Sequence, residues 1–221
     1  MITRSPLFAD RQDAGRQLAK AVAALNPEHP LVLALPRGGV PVAVEIARAL
    51  HAPLDLVLVR KIGAPGHEEY GLGAVIDGNA PQIVLNDEIM RLVNPPAGYV
   101  ERQAHDELKE LERRRKVYLG SRPPIPLVKR TVIVVDDGIA TGVTMTAALK
   151  GLKRTGAAAR LILAVPTAPL DVIEALKPEV DDIVCLTTPE PFRAVGLHYA
   201  DFSQVSDGEV VTLLKEAELW V

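Results

Sequence analysis

At 221 residues, with 48% hydrophobic and 24% charged side chains, the chain is long enough to bury one α/β core with a small appendage. A net charge of −3 excludes bulk electrostatic affinity for nucleic acid or a membrane surface. The single cysteine, Cys185, excludes an intramolecular disulfide and a thiolate metal cage.

The first segment turns polar at once and lacks a secretory apolar core, and no apolar run approaches the roughly 20 residues that span a bilayer. A cytoplasmic location is expected. A helix is predicted over Arg11–Leu25. Strand Leu31–Leu35 follows and ends in Pro36-Arg37-Gly38-Gly39, before a helix over Val40–Leu50. An arginine and two glycines opening a helix offer a bidentate cation and exposed backbone N–H groups, or simply a strand-to-helix turn with a surface arginine. Strand Asp55–Val59 ends in Arg60-Lys61. Ile62–Gly73, with four glycines, a proline and no apolar period, reads as a long mobile loop of the kind that is often functional. His67, Glu68, Glu69 and Tyr70 lie inside it.

Leu72–Asp77 and Gln82–Leu85 read as a short strand pair at a sheet edge. Ala97–Tyr118 reads as one long helix, with an apolar stripe through Ala104, Leu108 and Leu111 and i,i+4 pairs Glu110–Arg114 and Glu112–Lys116. Its basic run, Arg113 to Lys116, reads as a solvated face near a helix C-terminus, with contact to phosphates as the other reading. Thr131–Val135, Leu161–Val165 and Asp182–Leu186 are further strands, the last holding Cys185 as a small hydrophobe. Helices over Val143–Thr155 and Leu170–Leu176 lie between them. Thr187–Val221 leaves the alternation.

Continuous apolar strands alternating with helices predict a doubly wound, mainly parallel α/β sheet. Ligands of such sheets sit beyond the carboxyl ends of the strands. There, Val132–Thr144 (VIVVDDGIATGVT) carries the most information. A strand ends, a loop with Gly138 and Gly142 turns, and a helix begins near Val143. Unpartnered N–H groups at that helix start, with the hydroxyls of Thr141 and Thr144, make a cradle for a phosphomonoester. Asp136 and Asp137 would repel a phosphate but accept hydrogen bonds from a vicinal diol. The combination indicates a phosphosugar site. A Walker A loop is excluded because GxxxxGK[ST] is absent, and a dinucleotide fingerprint because GxGxxG is.

This segment resembles the PRPP (phosphoribosyl pyrophosphate) motif of type I phosphoribosyltransferases: four apolar residues, two acids, a loop with Thr-Gly and a final Thr. The likeness extends over about Leu31–Thr187, and the chain is also similar to bacterial proteins described as predicted phosphoribosyltransferases. It implies one domain over 1–221 with a core of about 27–187, a small hood from 1–26 and 188–221, and helix 97–118 as an insertion. It implies that Arg37, Gly38, Gly39, Asp136, Asp137, Gly138, Ile139, Ala140, Thr141, Gly142, Val143 and Thr144 bind PRPP. A non-proline cis peptide is expected in the pyrophosphate loop, at Arg37–Gly38.

The implied catalytic groups are Arg60, Lys61, Asp136 and Asp137, with Mg²⁺ as cofactor and Asp136 or Asp137 touching it directly or through water. The expected reaction is displacement of pyrophosphate from PRPP by a small nitrogenous acceptor, with no nucleic acid or membrane partner and a homodimer left open. Ala140 stands where enzymes acting on 6-oxopurines carry an acid, which disfavours hypoxanthine and guanine. Phe192, Tyr199 and Phe202 either stack on an acceptor ring or form the hood's own core. Two other functions stay open: a regulator that binds PRPP or a nucleotide without turnover, and an enzyme that hydrolyses PRPP.

Overall fold

The computed structural model describes residues 7–78 and 81–220. In chain order the elements are α1 (Arg11–Ala23), β1 (Pro30–Ala34), α2 (Gly39–Leu50), β2 (Leu54–Leu56), β3 (Val59–Ala64), β4 (His67–Ile76), β5 (Gln82–Leu85), α3 (Asp87–Val93), α4 (Tyr99–Leu119), β6 (Thr131–Val135), α5 (Val143–Thr155), β7 (Arg160–Thr167), α6 (Leu170–Leu176), β8 (Asp182–Thr187) and α7 (Asp207–Ala217). Five strands form a parallel sheet in the order β2-β1-β6-β7-β8, and β3-β4-β5 form a smaller antiparallel sheet. This is the doubly wound, mainly parallel α/β architecture that the alternation of elements predicts.

The continuous apolar strands bury both of their faces. Val32 and Ala34 of β1 and Ile133 and Val135 of β6 pack with α1, α2, α4 and α7. Leu31, Leu33, Val132 and Val134 point the other way, against α5 and α6. Each Val, Leu or Ile among them, fully buried, contributes about 1.5–3 kcal/mol. No helix among the described residues is long and apolar enough to cross a membrane.

Three expectations need correction. Ile62–Gly73 is not a long loop but most of the β3–β4 hairpin, which turns at Pro65-Gly66. Register shifts at Ile62/Gly63 and Gly63/Ala64 interrupt the pairing, and the glycines hide the alternation by which Ile62 and Ala64 point inward. The parallel strand expected over Asp55–Val59 covers only Leu54–Leu56, so Arg60 and Lys61 lie within β3 rather than beyond a strand end. The basic run of α4 is not uniformly a solvated face. The Arg115 side chain is 13% exposed and donates to both carboxylate oxygens of Asp55, at 2.8 and 2.9 Å, and to Asp77 at 2.7 Å.

The helix over Asp207–Ala217 was not expected from the sequence. Its signal is Ser206-x-x-Glu209, with the Ser206 hydroxyl accepting from the Glu209 N–H at 3.2 Å. The residues just before α1 and the 198–201 segment are tied together: Leu7 and Phe8 donate to the His198 carbonyl, and Ala200 donates back to Phe8.

Candidate active site

Strands β1 and β6 are neighbours in register, Ala34 beside Val135, so the loops leaving their carboxyl ends run side by side. Both lead straight into helices, α2 and α5, whose N-caps are glycines with no side-chain cap. By contrast, Asp10, Asn86 and Ser206 cap α1, α3 and α7 through their side chains. Two helix starts without a side-chain cap therefore adjoin the Asp136-Asp137 pair, and their dipoles favour an anion there, although at α2 the Gly39 and Val40 N–H groups already donate to the Leu35 and Arg37 carbonyls.

Glycine is required where the two loops meet. A Cβ on Gly38 would lie 2.1 Å from Oδ2 of Asp137, and one on Gly39 would lie 2.7 Å from the Val135 carbonyl and 2.9 Å from the Asp136 Cα. Gly142, at φ +74°, adopts the left-handed turn that launches α5. Ala140, Thr141 and Val143 are exposed around it, while Ile139 is buried and donates its N–H to the Thr167 carbonyl at the end of β7. Thr144 lines a narrow cleft of about 40 Å³ against Leu35, Pro36 and Val59. The non-proline cis peptide of the first loop is Pro36–Arg37, one bond before the expected Arg37–Gly38.

The acids are held by residues far away in sequence. Arg11, the first residue of α1, donates from Nε to Asp137 Oδ2 at 2.7 Å and from NH1 to the Ser203 carbonyl at 2.8 Å. Its guanidinium sits 3.8 Å above the Phe202 ring. The Tyr199 hydroxyl donates to the Asp137 carbonyl at 2.5 Å. Burial and the Asp137 charge push that phenol up, so it stays a protonated donor. Tyr199 also packs with Phe8 and Ala14 in a small core of its own. Phe192 stacks on His198, and only Phe202 of the three aromatics lines a cavity beside Asp137. That cavity, of about 340 Å³, is walled by Arg11, Arg37, Gly38, Gln204 and Val205 as well.

Sequence reasoning missed Arg11. No local pattern marks it, because its partner is 126 residues away. Arg37 turns toward Asp207 of α7, at 3.6 Å. Arg60 pairs with Glu107 of α4 at 2.5 Å, and Lys61 is exposed on β3. Neither joins Arg37 around the cavities, although Val59 beside them lines the cleft at Thr144. The side chains of His67, Glu68, Glu69 and Tyr70 lie outside the described residues.

Burial pushes both carboxyls above the usual range. Asp136 rises furthest, with the neighbouring Asp137 charge adding to burial, whereas Arg11 partly offsets the rise at Asp137. A carboxyl whose folded-state pKa exceeds its unfolded value binds more protons when folded, between those two values. Stability therefore falls as pH climbs from about 4 through the folded value, and the cost is complete above it. Asp136→Asn removes that cost. Its melting temperature is expected to exceed that of the wild type at pH 8, with the gain shrinking toward pH 4 in parallel thermal melts. A gain that ignores pH, or no gain, would contradict the assignment.

The protein TT1426 of Thermus thermophilus, whose crystal structure is known, is 44% identical, with 95% of this chain and 98% of that one superposed at a TM-score of 0.82. A Neisseria gonorrhoeae protein crystallised with ppGpp shares the fold at 16% identity and a TM-score of 0.51, over 93% and 92% of the two chains. A Mycobacterium tuberculosis protein named "Putative phosphoribosyl transferase" is 45% identical over 211 residues, 96% of this chain. The chain spans about half the length of the curated relatives it matches, 47% in each case. The profile of the phosphoribosyl transferase domain matches residues 8–201, from the Phe8 contact with Tyr199 through both helix starts. The chain belongs to that family, in its type I branch.

Proposed function

We propose that this chain transfers the 5-phosphoribosyl group of PRPP to a nitrogenous base and releases pyrophosphate. The observation that carries this reading is the pairing of two helix starts without side-chain caps, α2 and α5, around one aspartate pair. In this reading the 5-phosphate lies on the N–H groups opening α5, within the Gly138-Ile139-Ala140-Thr141-Gly142-Val143-Thr144 loop, with the two threonine hydroxyls as added donors. Asp136 and Asp137 accept from the ribose hydroxyls. Gly38, Gly39 and Arg37 receive the diphosphate at the start of α2. Lys61, and Arg60 once it leaves Glu107, add positive charge beside the cleft. The C1–O bond to diphosphate breaks with its electron pair going to oxygen, a C1–N bond forms, and the acceptor nitrogen gives up a proton. Positioning and charge stabilisation supply most of the acceleration.

The type I fold typically takes PRPP as a magnesium complex, the metal neutralising diphosphate charge. Among the described residues no group of three or more His, Cys, Asp or Glu is placed to hold a metal. Asp136 and Asp137 are the carboxylates that would hold it, with the remaining oxygens coming from PRPP and water, as suits a hard and largely hydrated ion. The segments 1–26 and 188–221 act in this reading as a hood, and the acceptor enters the cavity between Phe202, Gln204 and Arg11.

The test is PRPP-dependent pyrophosphate release with a panel of bases and magnesium. Asp136→Asn/Asp137→Asn is expected to lower turnover by about 100-fold or more. Turnover that survives the double change would sink the reading. One observation favours a second reading, a regulator that binds PRPP or a nucleotide without turnover: Arg11 already occupies an acceptor oxygen of Asp137. PRPP binding with no product from any base would select it.

A further inference from the structure

Helix α4 carries Arg113, Arg114, Arg115 and Lys116 in succession, and only Arg115 is committed to the interior. Arg113 and Arg114 join Arg37 around a polar cavity of about 250 Å³, closed by Pro36, Tyr118 and Asp207. Arg114 also lines the cleft that contains Thr144, so it borders both the phosphate loop and the outer side of the Pro36–Gly39 turn. Three arginines thus line the cavity that holds the turn's own cation, together with the Asp207 carboxylate that Arg37 meets at 3.6 Å.

Both arginines are held ready by one partner. Arg113 donates to Glu110 through Nε and NH2, at 2.7 and 3.0 Å. Arg114 donates to it through Nε alone at 2.9 Å, so its two terminal nitrogens are not spent on that carboxylate. The two guanidiniums pull the Glu110 carboxyl down to about 2, which keeps it ionised and the forks in place. Exposed ion pairs of this kind contribute little to stability. A planar guanidinium fork matches phosphate oxygens.

We infer that Arg114, supported by Arg113, is the residue through which α4 grips the distal phosphate of the donor's diphosphate. The inference rests on the proposed donor site. With the 5-phosphate on α5 and the ribose on Asp136 and Asp137, a diphosphate leaving C1 runs past Pro36–Gly39, and the Arg37–Arg113–Arg114 cavity lies directly beyond. The inserted helix then lengthens the anion site instead of only covering the hairpin. It sets the requirement for a donor with a full diphosphate rather than a single phosphate at C1.

The experiment is calorimetry on the full chain with magnesium, using inorganic diphosphate and, separately, ribose 5-phosphate. Arg114→Gln is expected to weaken diphosphate at least about tenfold and to leave ribose 5-phosphate unchanged. Arg114→Lys should recover part of the loss, since charge remains without the fork. Lys116→Gln, on the same helix but outside the cavity, should match the wild type. In steady-state assays the KM for PRPP should rise more than kcat falls. Equal diphosphate affinity in Arg114→Gln and wild type, with ribose 5-phosphate still bound, overturns the inference and leaves the donor site standing. Failure of the wild type to bind ribose 5-phosphate overturns the donor site, and the inference with it.

Discussion

Replacing Arg115 by methionine is expected to destabilise the protein by about 3–5 kcal/mol, the largest single-residue effect foreseen here. Asp55 is 1% exposed and accepts at both oxygens from one guanidinium nitrogen of Arg115, while the Leu56 and Ile125 N–H groups fill further acceptor positions. Asp77 receives the other guanidinium nitrogen and the Leu58 N–H. Without Arg115 two buried carboxylates face one another, and Arg122, 3.6 Å from Asp55, is left to offset them. The direction with pH follows. Burial pushes Asp77 up even with Arg115 present, and losing the cation pushes it further, so protonation relieves the variant. Its deficit in denaturant midpoint should be greatest near pH 8 and smaller near pH 5. Adding Asp55→Asn should restore part of the stability, because the cost lies mainly in the abandoned charge. An unchanged midpoint in Arg115→Met would remove this network from the account of the fold.

The second large effect concerns the two glycines after β1, which are expected to fail differently. An alanine Cβ at position 38 would sit 2.1 Å from the Asp137 Oδ2 atom, which Arg11 holds at 2.7 Å. The carboxylate must leave its place, and a charged acceptor is lost from the proposed ribose site. Ribose 5-phosphate affinity should fall by about 10- to 100-fold, with a small change in melting temperature. At position 39 the obstacle is backbone, the Val135 carbonyl and the Asp136 Cα. Gly39→Ala is therefore an overpacking change, costing about 1–3 kcal/mol and lowering the melting temperature as well as binding. Gly208→Ala, near the start of α7 with no heavy atom closer than 3.9 Å, is the control and should be neutral or slightly stabilising. Undisturbed binding in Gly38→Ala would show that Asp137 is not needed where it stands.

Some features were legible in the chain because their causes act over a few residues. Runs such as Val132–Val135 report burial on both faces, and helices α5 and α6 were bounded correctly because apolar period and turn residues are local. The strand-to-helix geometry of Val132–Thr144 is local too: a strand end, a left-handed glycine at 142 and the next helix turn suffice to aim N–H groups outward. The end of β4 and its pairing with β5 were legible, but β3 and the start of β4 were not, since their glycines and register shifts erase the period of two that marks a strand.

What the sequence determined by itself is the alternating α/β frame and a glycine-bearing strand-to-helix loop opened by two acids. Tertiary structure alone decided what surrounds that loop. Arg11 meets Asp137 across 126 residues, Arg115 meets Asp55 across 60, and α4 swings Arg114 toward a turn formed by Pro36 and Arg37. Periodicity, capping and backbone dihedrals act between near neighbours, whereas these ion pairs depend on how strands are ordered and which helix crosses their ends. The acids at Asp136 and Asp137 are written in the chain; the guanidiniums that hold and border them are placed by the fold.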